Sequence, residues 1–233
     1  MSLVTQSVRK TTDDSISLRY KYSSCKWNIF FYQEGEFWEH GDNMLRIVRI
    51  GTHKNGNFRS RIKEHFLFNE SKMNFDQMKP RPSDRSIFRK HIGRALLKKE
   101  NDGYLKIWDE DLISKQKRKK YKSSRDIKKE KNLECKITKI IREQFSFRFI
   151  VIDKQAERMG NKGLESSLIG TLSHCKLCKP SNNWLGCFSP RKQIKNNGLW
   201  LVQHINHEGI NNRDKETISD AIRRTKECIK NSR

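Results

Sequence analysis

Acidic side chains are scarce in this chain. Only 27 Asp and Glu stand against 50 Lys and Arg in 233 residues, a formal charge of +23. That balance says little about fold, but it points to polyanionic partners, nucleic acid first and a membrane surface second. Apolar residues are also few, at 34%, so the core must be concentrated in a handful of segments. No apolar run approaches the ~20 residues needed to cross a bilayer, which excludes a membrane-spanning reading. Met1 to Lys21 is polar and mixed in charge, without the apolar centre of a secretory signal. The expected location is therefore cytoplasmic, and the nucleoid in a bacterium. Six cysteines spread along a chain without an export signal are expected to be reduced thiols. There are no internal repeats, and the only low-complexity tract is rich in lysine.

What is present divides the chain into an arm (1–24), a main domain (25–205) and a helical extension (206–233). Trp27 to Tyr32 and Leu45 to Ile50 are short aromatic and β-branched runs separated by Gly35 and Gly41, a hairpin pattern. Gly51 closes the second strand. Phe58, Ile62 and Phe66 then recur at helical spacing, with Arg61 and His65 beside that stripe, one turn apart. Pro80 and Pro82 break the chain, after which Ser83 or Asp84 is expected to cap a helix carrying Ile87, His91, Ile92, Ala95 and Leu96. A basic insertion at about 110–131 includes Lys115 to Lys131, with ten basic and two acidic residues. It reads as a solvated, mobile segment that also suits a phosphate-gripping arm. Leu133, Ile137, Ile140 and Ile141 restore helical spacing. Phe145 to Ile152 is the strongest strand signal in the chain. Leu164, Leu168 and Leu172 mark a short helix opened by Glu165, and Ile218, Ala221, Ile222 and Ile229 mark a last amphipathic one.

The chemistry-bearing residues are a guanidinium, an imidazole and a carboxylate. Arg61 can donate two parallel hydrogen bonds to a phosphate. His65 can serve as a base or hold a phosphate. Glu165 can cap its helix favourably, or bind Mg²⁺, which keeps most of its waters and needs few protein donors. Each residue alone also has a plain structural reading. Cys175, Cys178 and Cys187, with His174 adjacent, offer a structural zinc set. A second Cys-x-x-Cys is missing, so free thiols are the default. Trp184 and Trp200 are expected to be core or loop anchors rather than base-stacking platforms.

In this order the stretches resemble the GIY-YIG nuclease superfamily. The nearer likeness is to uncharacterised bacterial GIY-YIG-like proteins, the more distant one to GIY-YIG restriction endonucleases. The likeness rests on Trp27-Asn28-Ile29-Phe30-Phe31, Arg49-Ile50-Gly51-Thr52-His53, Arg61-Ile62-Lys63-Glu64-His65, Ser86 to Gly93 and Leu164 to Gly170. Pro180 to Gly186 and Asn197 to Trp200 extend it. It implies an α+β fold, a small three-stranded antiparallel sheet flanked by helices. It also implies metal-dependent hydrolysis of DNA, with Mg²⁺ or another divalent cation on Glu165 and Arg61 on the scissile phosphate. His65, Arg49, Tyr32 and Phe30 would complete the catalytic set. DNA contacts are expected from His53, Lys54, Arg59, His91, Lys117, Arg118, Lys119, Lys120, Asn182 and Asn183.

The pattern departs from the family at Asn28, where glycine is usual, and at Phe30 and Arg49, where tyrosines are usual. Those tyrosines typically handle the attacking water, and phenylalanine cannot do so by hydrogen bonding. Water activation then falls to His65, to Tyr32 or to the metal. The alternatives are a catalytically degenerate DNA-binding protein and an RNA-binding protein. Symmetric double-strand cutting would call for a homodimer.

Overall fold

The computed structural model describes residues 26–41, 43–52 and 58–230. Its centre is a three-stranded antiparallel sheet in the order β2-β1-β3. The strands are β1 (Trp27–Phe37), β2 (Leu45–Gly51) and β3 (Phe145–Val151), and three short helices, α3 (Leu105–Asp109), α6 (Gln155–Arg158) and α8 (Lys192–Asn197), lie in the connections. The α+β architecture is that implied by the sequence.

Both faces of the sheet are covered, which is why β1 is buried without alternation from Trp27 to Gln33. Successive side chains enter opposite layers. Trp27, Ile29 and Phe31 join Phe145, Phe147 and Phe149 in the first layer. That layer is closed by α1 (Phe58–Phe66), α2 (Ile87–Lys99) and α5 (Ile127–Gln144) through Ile62, Phe66, Phe88, Ile92, Ile137 and Ile141. Phe30, Tyr32 and Ile150 face the second layer. It is closed by α7 (Leu164–Ser173) and α9 (Asn212–Lys230) through Leu164, Ile169 and Ala221. Thr225 of α9 accepts from the Val151 backbone at 2.9 Å, tying the last helix to β3.

One irregularity in β2 decides the geometry of the site. Phe31 pairs with Arg49, but the next residue, Tyr32, pairs with Ile47. Val48 is therefore the extra residue of a bulge. Strict alternation would send Arg49 to the face opposite Val48. The bulge instead turns Arg49 to the side of its cross-strand neighbour Phe31. The outer edge of β2 is covered by the chain at 199–201, where Trp200 N–H donates to the Val48 carbonyl at 2.8 Å.

Several expectations need correction. The α2 cap is Ser86, whose Oγ accepts from Arg89 N at 3.3 Å. Asp84 is taken by Arg81 and Lys90, and with Ser83 it lies in a 3₁₀ turn, Pro82–Arg85. Ile87, expected on the buried face, is 44% exposed. The lysine-rich stretch is not a loose insertion. It forms α4 (Lys115–Lys120), a 3₁₀ turn and the start of α5. Within it, Arg125 is fully buried, pairing with Glu130 at 2.7 Å and donating to the carbonyls of Asp76, Gln77 and Lys79. Arg81 also reaches Glu130, and Arg89 pairs with Glu134 at 2.6 Å, all of them fully buried. Part of the positive charge therefore stabilises the interior. Among the described residues, no helix is long and apolar enough to cross a membrane.

Candidate active site

The last residues of β2 and the first turn of α7 meet at one end of the sheet. Gly163, just before α7, has no room for a side chain, since a Cβ there would lie 2.5 Å from the Met159 backbone. That close approach sets the direction in which α7 leaves the loop and so the position of Glu165 in its first turn. Glu165 is half-buried. Burial raises its pKa, while Arg49, Arg158 and a hydrogen bond from the Thr52 N–H act in the opposite direction. Burial is the largest of these effects, so the carboxylate is short of compensation even between two guanidiniums.

Arg49 is the buried partner. Its Nη1 donates to the Trp200 carbonyl at 2.5 Å, and its guanidinium lies 5.1 Å from the Phe88 ring centroid. Burial brings its pKa down to about 10, against the attraction of Glu165 and together with the repulsion of Arg61. Arg49, Arg61 and Glu165 thus share one electrostatic neighbourhood. Arg61 is the accessible member: its side chain is 24% exposed, and its Nη1 donates to Glu64 at 2.8 Å and to the Arg85 carbonyl at 3.5 Å.

His65 sits deeper than a wetted base would. It is buried, with its ring edge-on to Phe31 and Phe88, both at 5.7 Å. Its Nδ1 lies 2.8 Å from Ser86 Oγ. Ser86 Oγ already accepts from Arg89 N, so its own proton is available to Nδ1. Arg89 Nη1 donates to the His65 carbonyl at 3.1 Å. These bonds tie α1 to α2. His91 is also interior. Burial first, then the positive charges of Arg94, Arg49, Arg191 and Lys90, drive its pKa down to about 2, and Arg94 Nη1 donates to its Nδ1 at 3.0 Å. Both effects disfavour the cationic form of the ring.

Phe30 and Tyr32 face away from Arg49, into the layer that α7 closes with Leu164 and Ile169. Both pack in the second core layer, and Tyr32 lies under the Arg148 guanidinium at 5.0 Å. The cross-strand neighbour of Arg49 is Phe31, which the residue pattern does not single out because the bulge leaves no signal in it. Arg158 and Thr52 were missed as well. Arg158 is one basic residue among many, and its Nη1 donates to Thr52 Oγ1.

The remaining expected contacts are dispersed. Asn182 and Asn183 are exposed on a turn leading into buried Trp184. Trp184 and Trp200 are core residues whose indole N–H groups both donate to Gln33. Lys117, Lys119 and Lys120 are exposed on α4, while Arg118 donates to the Leu112 carbonyl at 2.8 Å. His53 and Lys54 lie outside the described residues, as does the side chain of Arg59. The expected thiol set is rearranged. His40, and not Cys187 or His174, joins Cys175 and Cys178, with ligand atoms all within 4.8 Å of one another.

A family model described as GIY-YIG domain matches residues 6–228. The chain belongs to the GIY-YIG domain family. Membership points to a nuclease-type function and, with it, contact with nucleic acid. The GIY-YIG match runs through the segment before β1 and through most of α9. No curated protein and no solved structure matches the chain.

Proposed function

We propose that this GIY-YIG protein is a divalent-metal-dependent DNA endonuclease that hydrolyses phosphodiester bonds, with a restriction-like activity as its finer form. The reading is carried by membership of the GIY-YIG domain family, with Glu165 half-buried in the first turn of α7 in the electrostatic neighbourhood of Arg49 and Arg158, on a chain of net charge +23.

Glu165 would hold the metal, Mg²⁺ being the natural choice. The donor set fits such an ion: one hard carboxylate, completed by waters and phosphate oxygens. When bound, the ion neutralises charge on the phosphate and polarises its oxygens. The protein's own contribution is positioning and charge. Arg61 leaves Glu64 to donate to a non-bridging phosphate oxygen, an exchange that costs little at a half-exposed pair. Arg49 is too enclosed to grip DNA and holds Glu165 in place electrostatically. His65 and Ser86 fix α1, and with it Arg61, against α2.

The test is incubation of supercoiled plasmid with Mg²⁺ and either wild type or Glu165→Ala. Nicked or linear product with wild type and none with the variant is expected. Equal cleavage by both would overturn the assignment.

A second reading has its own support. Phe31, not a tyrosine, is the cross-strand neighbour of Arg49, and a phenyl ring can neither accept a proton nor position a water by hydrogen bonding. That favours a protein that binds DNA without cutting it. Its mark would be tight, salt-sensitive DNA binding with no cleavage in Mg²⁺ or Mn²⁺.

A further inference from the structure

The β1–β2 hairpin ends in a tip that apolar burial barely holds. Phe37, Trp38 and Met44 are all exposed there, as is Leu177 on the facing loop. Across the tip, Trp38 N–H donates to the Met44 carbonyl at 2.7 Å. Yet His40 at this tip meets Cys175 and Cys178 just past the end of α7, from 135 residues away in the chain.

We infer that His40, Cys175 and Cys178 form a zinc site that fastens the hairpin tip to the exit of α7. The His40 Nε2 to Cys175 Sγ distance is 3.0 Å, and all three ligand atoms lie within 4.8 Å of one another. Tetrahedral zinc, with bonds of about 2.0–2.3 Å, separates such ligands by about 3.5–3.8 Å. The three atoms therefore need only small rotations about their side-chain bonds to reach a common ion.

Backbone N–H groups are directed at both sulfurs. The Cys178 N–H donates to Cys175 Sγ at 3.4 Å, and the Leu177 N–H also points to that sulfur. The Glu39 N–H, from the hairpin side, points to Cys178. N–H groups directed at both sulfurs stabilise negative charge there, as a ligand shell requires. Two thiolates and an imidazole select a soft or borderline ion over Mg²⁺. Three protein ligands leave the fourth corner to a water. The site is separate from Glu165 and does not depend on the nuclease reading.

The experiment uses the full chain, purified reduced and stripped of metal, then titrated with Co²⁺ and Zn²⁺. Expected is one equivalent of Co²⁺ giving the visible bands of a tetrahedral ion and thiolate charge-transfer absorption, both displaced by Zn²⁺. Cys175→Ser, Cys178→Ser and His40→Ala should each lose that stoichiometry. Cys187→Ser, Cys135→Ser and Glu165→Ala should keep it. Because the wild-type spectrum stands by itself, a variant that fails to fold does not rescue the claim. A wild type that takes up neither ion, and in air closes a Cys175–Cys178 disulfide, would overturn the metal site in favour of a redox pair. Loss of the ion on Cys187→Ser would equally overturn this ligand set.

Discussion

Glu165 has Arg49 for a charged neighbour, and its pKa is nevertheless raised. A surface carboxylate next to a guanidinium would be shifted the other way. Burial outweighs the ion pair here, so the ionised form of Glu165 costs the folded state stability. Groups held at such a cost concentrate at functional sites.

The sign of the pH dependence follows. A carboxyl whose folded pKa lies above its unfolded one binds its proton more tightly in the folded chain. Its contribution is most stabilising below the unfolded pKa and is lost as pH rises through the folded pKa. Glu165→Gln should therefore melt at the same temperature as wild type or higher at pH 7. The gap should close as pH falls below 5. Thermal melts of both proteins across that range check it.

Cleavage should respond to the same ionisation. Rate should fall toward acid pH with a midpoint above that of a solvent-exposed glutamate. Raising Mg²⁺ should move the midpoint down, because metal and proton compete for one carboxylate. Arg49→Gln removes a charge that favours ionisation and should move it up. Rate profiles at two Mg²⁺ concentrations separate these shifts.

Sheet-face assignment gives a contrast between tyrosine and arginine. Tyr32 lies in the layer away from Arg49, so Tyr32→Phe should leave cleavage unchanged. Arg61→Ala should abolish or severely reduce it while costing less than about 1 kcal/mol of stability, because its pair with Glu64 is partly solvated. Its salt dependence of DNA binding should also weaken by about one phosphate contact. Plasmid cleavage, urea denaturation and a salt series of binding measurements test the three parts.

The buried arginines behave differently. Glu130 neutralises Arg81 and Arg125 in the interior. Glu130→Ala would leave buried Arg125 without its carboxylate, while Arg81 keeps Asp84 at 2.8 Å, at about 3–5 kcal/mol, enough to unfold a marginal domain. Urea denaturation of this variant beside Arg61→Ala should show the large loss only in the former.

Much of this fold was legible because its strands and helices carry unambiguous apolar spacing. The runs at 27–32, 45–50 and 145–152 lie within or overlap the three strands, and the Phe58, Ile62, Phe66 stripe is α1. Three kinds of information were not in the pattern. Charge alone did not separate Arg125 and Arg89, buried in ion pairs, from the exposed lysines on α4. The bulge at Val48 has no residue signature, and it decides that Phe31 rather than Phe30 neighbours Arg49. His40 gave no hint of its partners because nothing local records an encounter across 135 residues.

Cleavage of supercoiled DNA in Mg²⁺ by wild type and Glu165→Gln, with DNA affinity and thermal stability measured on the same samples, tests the central claim most directly. The account predicts a folded variant that still binds DNA and does not cut it. A Glu165→Gln protein that cuts at the wild-type rate would contradict it.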